Sequence, residues 1–171
     1  MLIRLLIWFI MIFGGIAGGY LLDRHFFPAV HRNIFFHIIS FAGGSIVLFL
    51  VLKVSKNTGR TLAKYGRTDD LPRMKTNKLV TDGIYIYMRH PMHLGLLFFP
   101  LSIALLVGSP SFILFIAPFE IFFMLLLIKF AEEREAIDKF GDDYCEYMKH
   151  VPWFCFKIEC LKELFREVPK N

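Results

Sequence analysis

Three stretches of this chain carry almost no charge. Leu5 to Leu22 and Ile34 to Leu52 contain none, and Leu94 to Ile128 contains only Glu120. A bilayer-crossing helix needs roughly 20 apolar residues at about 1.5 Å rise each. The first two runs are one span long. The third accommodates two shorter spans and is broken by the turn sequence Gly108-Ser109-Pro110. The chain therefore reads as all-α, an integral membrane bundle of about four transmembrane helices over residues 2–22, 33–54, 91–108 and 111–130. Helix four is expected to leave the membrane near Lys129 and run on to about residue 139. A cytoplasmic loop (55–90) and a cytoplasmic C-terminal cap of amphipathic helices (131–171) complete a single domain, 1–171. Arg4 ahead of an apolar run is also the layout of a signal peptide, but the run exceeds the ~7–15 residues of a signal core. The span reading is the better one.

Charge placement orients the bundle. Lys53 to Arg89 carries nine Lys and Arg, whereas the link between the first two spans carries only Arg24 and Arg32. The positive-inside rule puts the long basic loop in the cytoplasm. With four spans, both termini and any site on that loop are then cytoplasmic. The net charge of +5 reflects this loop, which is expected near anionic headgroups. No basic–aromatic pattern suggests a nucleic-acid partner; the bilayer is the expected partner. Cys145, Cys155 and Cys160 all fall in the tail, and an odd count in a reducing compartment argues against a disulfide framework.

Gly14, Gly15, Gly18 and Gly19 form two overlapping G-x-x-x-G pairs. Inside an apolar span with no strand before it, this pattern predicts close helix packing rather than a nucleotide loop. Pro100 and Pro118 predict kinks in helices three and four. Gly141 predicts a helix end, and Pro152 stops the next helix. Phe154, Ile158, Leu161, Phe165 and Val168 recur at helical spacing, so the last segment is expected to lie on the membrane or pack over the loops.

Chemistry concentrates in two segments. One is Leu79-Val-Thr-Asp-Gly-Ile-Tyr-Ile-Tyr-Met-Arg-His-Pro-Met-His-Leu-Gly95, leading into helix three. The other starts at Glu132-Glu133, where helix four exits, and continues through Phe140-Gly141 to Tyr144 and Tyr147. A tight hairpin returns helix four to the face where helix three began. Arg89, His90 and Glu132 are therefore expected to be neighbours. The two segments together resemble the isoprenylcysteine carboxyl methyltransferase and phospholipid methyltransferase superfamily, over about residues 76–153. Two positions differ from its pattern. His93 stands where Tyr is common. Ile128 stands where the prenylcysteine enzymes have an Arg for the substrate carboxylate, with Lys129 adjacent.

The resemblance implies S-adenosylmethionine as cofactor, with contacts from Asn77, Lys78, Leu79, Val80, Tyr85, His90, Pro91, Met92, His93 and Glu132. It implies a lipophilic or prenylated acceptor near Lys129 and Tyr144, and chemistry at Arg89, His90 and Glu133. Elementary chemistry is compatible with each role. A carboxylate accepts from an ammonium or a ribose hydroxyl, Arg and His donate to a carboxylate, and an aromatic face suits adenine or a sulfonium. A carboxylate acceptor is ionised at neutral pH and needs no base, whereas an amine must first lose a proton. His90 and His93 have a metal-like H-x-x-H spacing, but the repeated histidine clusters of membrane di-iron enzymes are missing, so no metal is expected. Glu120, alone in a span, is either a hydrogen-bonded packing residue, with Ser102 or His37 as candidate partners, or functional. Phospholipid amine methylation, a nicotinamide-dependent membrane reductase and a non-catalytic scaffold are the alternative functions.

Overall fold

The computed structural model describes residues 2–67 and 76–166, with side chains from residue 6 onward. Their regular structure is entirely helical. In order these are α1 (Leu2–Phe26), α2 (Pro28–His31), α3 (Ile34–Tyr65), a 3-10 turn (Gly83–Ile86), α4 (Pro91–Leu97) and α5 (Phe99–Val107). There follow α6 (Ala117–Leu127), α7 (Glu133–Phe140), α8 (Asp142–His150) and α9 (Ile158–Phe165), with π turns at Phe112–Ile116 and Ile128–Glu132. Leu6–Phe26, Ile34–Tyr65 and Phe112–Phe140 are each long and apolar enough to cross a membrane, and Pro91–Val107 is a shorter apolar helix. The chain is an integral membrane helical protein. It divides into two compact units, Met1–Val51 with Leu97–Leu126, and Leu52–Leu96 with Leu127–Asn171.

The first unit is built for lipid outside and tight packing inside. Phe9, Phe35 and Phe119 are 57%, 72% and 68% exposed, which suits chains surrounded by acyl groups rather than water. Only one of the two overlapping glycine pairs does the packing. A Cβ on Gly19 would stand 2.6 Å from Ser109 Oγ, and one on Gly15 would enter the Phe112 ring, whereas Gly14 has open space around it. Gly44 lets α3 approach the Leu106 backbone, and Ser40 donates to the Leu105 carbonyl at 2.6 Å. The hairpin turn forms where the sequence places it. Gly108 adopts φ +67° and donates to the Ala104 and Leu105 carbonyls. Fully buried Asp23 accepts from the Ser111 N–H at 2.7 Å, holding the start of the next helix.

Both prolines leave their mark. The expected kink at Pro100 is a break at Phe98 that separates α4 from α5. Pro118 has no N–H to donate one turn back, and the helix ahead of it widens into the π turn Phe112–Ile116. Neither expected partner reaches Glu120. Ser102 donates to the Phe99 carbonyl and His37 bonds the His31 carbonyl, and Glu120 Oε2 has no partner among the described residues.

In the second unit α3 runs on to Tyr65, well past residue 54 where its apolar run ends, so the first part of the expected loop is helix. Thr58 and Thr61 return their hydroxyl protons to the Val54 and Asn57 carbonyls, and Leu62 packs on the core. Residues 68–75 of the expected loop and 167–171 of the expected cap, Val168 included, lie outside the described residues. The core joins Val54, Val80, Ile84, Met88 and Leu94 to Cys160 and Leu164 of α9. The last amphipathic helix thus packs over the loop, while Phe156 and Ile158 remain exposed. The cysteine expectation is overturned here. Cys155, on the extended lead into α9, and Cys160, on its first turns, are joined in a disulfide with a Cα–Cα distance of 5.9 Å. Cys145 is free.

Candidate functional site

The Arg89-His90-Pro91 corner is made by two backbone hydrogen bonds to a distant strand of chain. The Arg89 N–H donates to the Pro152 carbonyl at 2.9 Å and the His90 N–H to the Trp153 carbonyl at 3.2 Å. Pro91 then starts α4, where its missing N–H is harmless. This arrangement fixes the two side chains ahead of it. Arg89 Nη2 lies 2.8 Å from Glu133 Oε1, and Nη1 donates to the Met148 carbonyl at 3.0 Å. His90 Nε2 lies 3.4 Å from the same Glu133 oxygen, across 43 residues of sequence. The Trp153 ring meets the His90 ring edge-on at 6.4 Å. Glu132 faces His93 instead, at 3.9 Å, and both are partly open to solvent.

These contacts rearrange the expected neighbourhood. Arg89 and His90 converge on Glu133 rather than on Glu132; the π turn Ile128–Glu132, which rotates less per residue than an α-helix, ends between the two glutamates and sets their directions back around the helix. Arg89 Nε is buried without a partner among the described residues, so the guanidinium retains one donor. Burial above all, with the charges of His93 and Arg89, pushes the His90 ring from the usual 6.5 down to about 3. It is neutral at physiological pH.

Beneath the corner lie three tyrosines. Tyr147 donates its hydroxyl proton to the Tyr85 carbonyl. Burial raises all three phenols; Tyr144, also beside Glu133, is pushed up to about 12. All therefore remain protonated. Tyr144 is buried, its ring centroid 5.9 Å from that of Tyr147. Tyr85 and Val80 belong to the core of the second unit. The Asn77 and Lys78 N–H groups both donate to the Gly66 carbonyl, at 3.0 and 3.3 Å. Leu79 and Met92 are half-buried, and Pro91 is buried. Lys129 is exposed, its Nζ 5.4 Å from the Phe130 ring centroid, next to buried Ile128. The rings of His90 and His93 meet edge-on at 5.4 Å.

Trp153 is the residue sequence reasoning missed. Pro152 reads only as a helix stop, and nothing in the spacing shows that the following carbonyl holds His90.

Comparison with known proteins gives the family. The family model described as phospholipid methyltransferase matches residues 33–143. The chain belongs to the phospholipid methyltransferase family. Among curated family relatives, the chain is 38% identical over 86 residues to a protein-S-isoprenylcysteine O-methyltransferase of Schizosaccharomyces pombe, covering 47% of this chain and 34% of that protein. It is 27% identical over 141 residues to protein-S-isoprenylcysteine O-methyltransferase B of Arabidopsis thaliana, covering 78% of this chain and 66% of that one. The chain thus spans about a third of the length of one relative and just under two thirds of the other. No solved structure matches.

Proposed function

We propose that this protein transfers a methyl group from S-adenosylmethionine to a lipophilic acceptor at the cytoplasmic membrane face, with an isoprenylcysteine carboxylate as the first acceptor class. One observation carries the reading: in a member of this family, Arg89 and His90 meet one carboxylate oxygen of Glu133 while Glu132 and His93 face each other beside them. Paired cationic and anionic groups suit a ligand with both a carboxylate and an ammonium. The unpartnered Arg89 Nε is a donor such a ligand can use.

When bound, S-adenosylmethionine supplies an electrophilic methyl group on a sulfonium. Glu132 accepts from the ammonium or a ribose hydroxyl, and Arg89 with His93 donates to the carboxylate. Leu79, Met92 and the Pro91 turn offer apolar surface to adenine. With the Asn77 and Lys78 N–H groups engaged by Gly66, the backbone of Leu79 and Val80 reads its edge. Tyr85 and Tyr144 shape the wall of the site from the core. Glu133 holds Arg89 and His90 in one geometry, and such positioning is most of what an in-line displacement asks of a protein. A carboxylate acceptor arrives ionised; Lys129, exposed next to Ile128, is the cation we assign to it.

The phospholipid reading has a specific observation in its favour, the family match itself. An amine acceptor must first lose a proton; the His90 ring, pushed down to about 3, is too weak a base to take it, so that role falls to Glu133 or His93. The two acceptors separate in one assay. Labelled methyl incorporation into a farnesylcysteine analogue, with none into amine phospholipid, supports the first reading. The reverse pattern supports the second, and incorporation into neither overturns both.

A further inference from the structure

A polar cavity lies within the same unit as the candidate site and shares none of that site's charged groups. It measures about 250 Å³ and is walled by the exposed end of α3, the Gly83–Ile86 turn and α9. That is several times a water molecule's ~30 Å³ share of liquid, and below the ~300–1,000 Å³ of drug-sized pockets. A compact polyatomic group fits it.

Its lining is chemically one-sided. Asn57, Thr61 and Lys64 recur at i, i+4 and i+7, along one face of α3. Asn57 is 5% exposed, and its Nδ2 has no hydrogen-bond partner among the described residues. A buried amide donor without an acceptor is costly and calls for an explanation. Thr58 and Thr61 do not provide it, since both hydroxyls are already committed to backbone carbonyls of α3. From the opposite wall comes Arg166, whose Nη1 lies 3.3 Å from Glu163 Oε2. One carboxylate, one arginine, one lysine and one unspent amide donor leave the cavity short of negative charge. Outside it, Lys53, Lys56 and Arg60 lead up to Lys64 at three- and four-residue steps as α3 leaves its apolar run. Basic side chains so placed meet the headgroup region of an anionic leaflet.

We infer that this cavity is a binding site for a phosphate group, held by the Asn57 amide, Lys64 and Arg166. The donors approach from two helices, which suits a tetrahedral anion with several oxygens to satisfy. A lipid headgroup and free phosphate offer the same chemistry, and the test separates them.

The full-length protein in neutral detergent is titrated at constant ionic strength with inorganic phosphate and, separately, with short-chain phosphatidic acid. The latter has no amine and so cannot be a methyl acceptor. Tryptophan fluorescence follows thermal unfolding. The expected result is a saturable rise in midpoint with one or both ligands. Saturation by inorganic phosphate identifies a free-anion site, and a response to phosphatidic acid alone identifies a headgroup site. K64Q/R166Q alters exposed side chains and is expected to weaken the apparent affinity at least tenfold. Asn57→Leu removes the stranded donor; it is expected to abolish the response while leaving the ligand-free protein at least as stable. Should that variant fail to fold, the double variant carries the test. No saturable response to either ligand, or a K64Q/R166Q response equal to wild type, overturns the proposal.

Discussion

Two glutamates of this chain sit largely out of water, and they differ in company. Glu133 meets an arginine and a histidine at one of its oxygens. Glu120, on α6, has a buried oxygen with no partner among the described residues. Burying an acid is expensive in both cases. Only at Glu133 has the fold surrounded the acid with groups that also suit a charged ligand. The contrast leads us to expect chemistry at the acid that meets groups from distant parts of the chain rather than at the isolated intramembrane one. It also predicts how each acid responds to change.

The sharpest way to break the contrast is Arg89→Ala. It strands Glu133 beside a neutral histidine, and breaking a pair this buried costs about 3–5 kcal/mol. We expect methyl transfer to fall at least 100-fold, with a lower thermal midpoint in detergent. Wild-type activity in this variant contradicts the role given to the corner. Next in size is Glu132→Ala, whose carboxylate is partly open and pairs less closely. Folding is retained and cofactor affinity drops about tenfold or more, the scale of one lost charge-assisted hydrogen bond at ~1.5–3 kcal/mol. Retained affinity in a calorimetric titration shifts the ligand-binding role to Glu133.

A third prediction concerns pH. The His90 ring sits well below its unfolded value, so its contribution to stability is complete above pH 6.5. That contribution is lost progressively as pH falls toward about 3, because the unfolded chain takes up the proton first. Thermal midpoints should therefore drop more steeply below pH 6 in wild type than in His90→Gln, and parallel slopes contradict the assignment. In the first unit, Gly19→Ala meets Ser109 and is expected to lose about 1–3 kcal/mol by overpacking, whereas Gly14→Ala enters open space and is near neutral. The smallest expected effect is Glu120→Gln, with activity within about twofold of wild type and unchanged expression. A large loss there removes the contrast between the two acids.

The apolar runs were legible because length and charge alone decide whether a helix suits a bilayer. The hairpin was legible because Gly108 is the residue that adopts a positive φ at a helix end. From the hairpin came the meeting of the Arg89–His90 segment with the glutamate pair. Which glutamate takes Arg89 was not legible, since a π turn ahead of Glu133 changes the side-chain directions that an ideal helix predicts. The extension of α3 to Tyr65 was hidden by its polar residues, whose hydroxyls bond back to the helix. The support from Trp153 was hidden because it comes through a backbone carbonyl, which every residue has. The Cys155–Cys160 disulfide ran against an expectation drawn from compartment rather than geometry.

Calorimetric titration of the detergent-solubilised protein with S-adenosylhomocysteine tests most directly whether the Arg89–His90–Glu133 corner and Glu132 hold a methyl donor. Saturable binding of one equivalent is expected, weakened in Glu132→Ala and Arg89→Ala at unchanged helix content. Absence of binding heat at several temperatures with folded wild-type protein, or equal affinity in both variants, contradicts it.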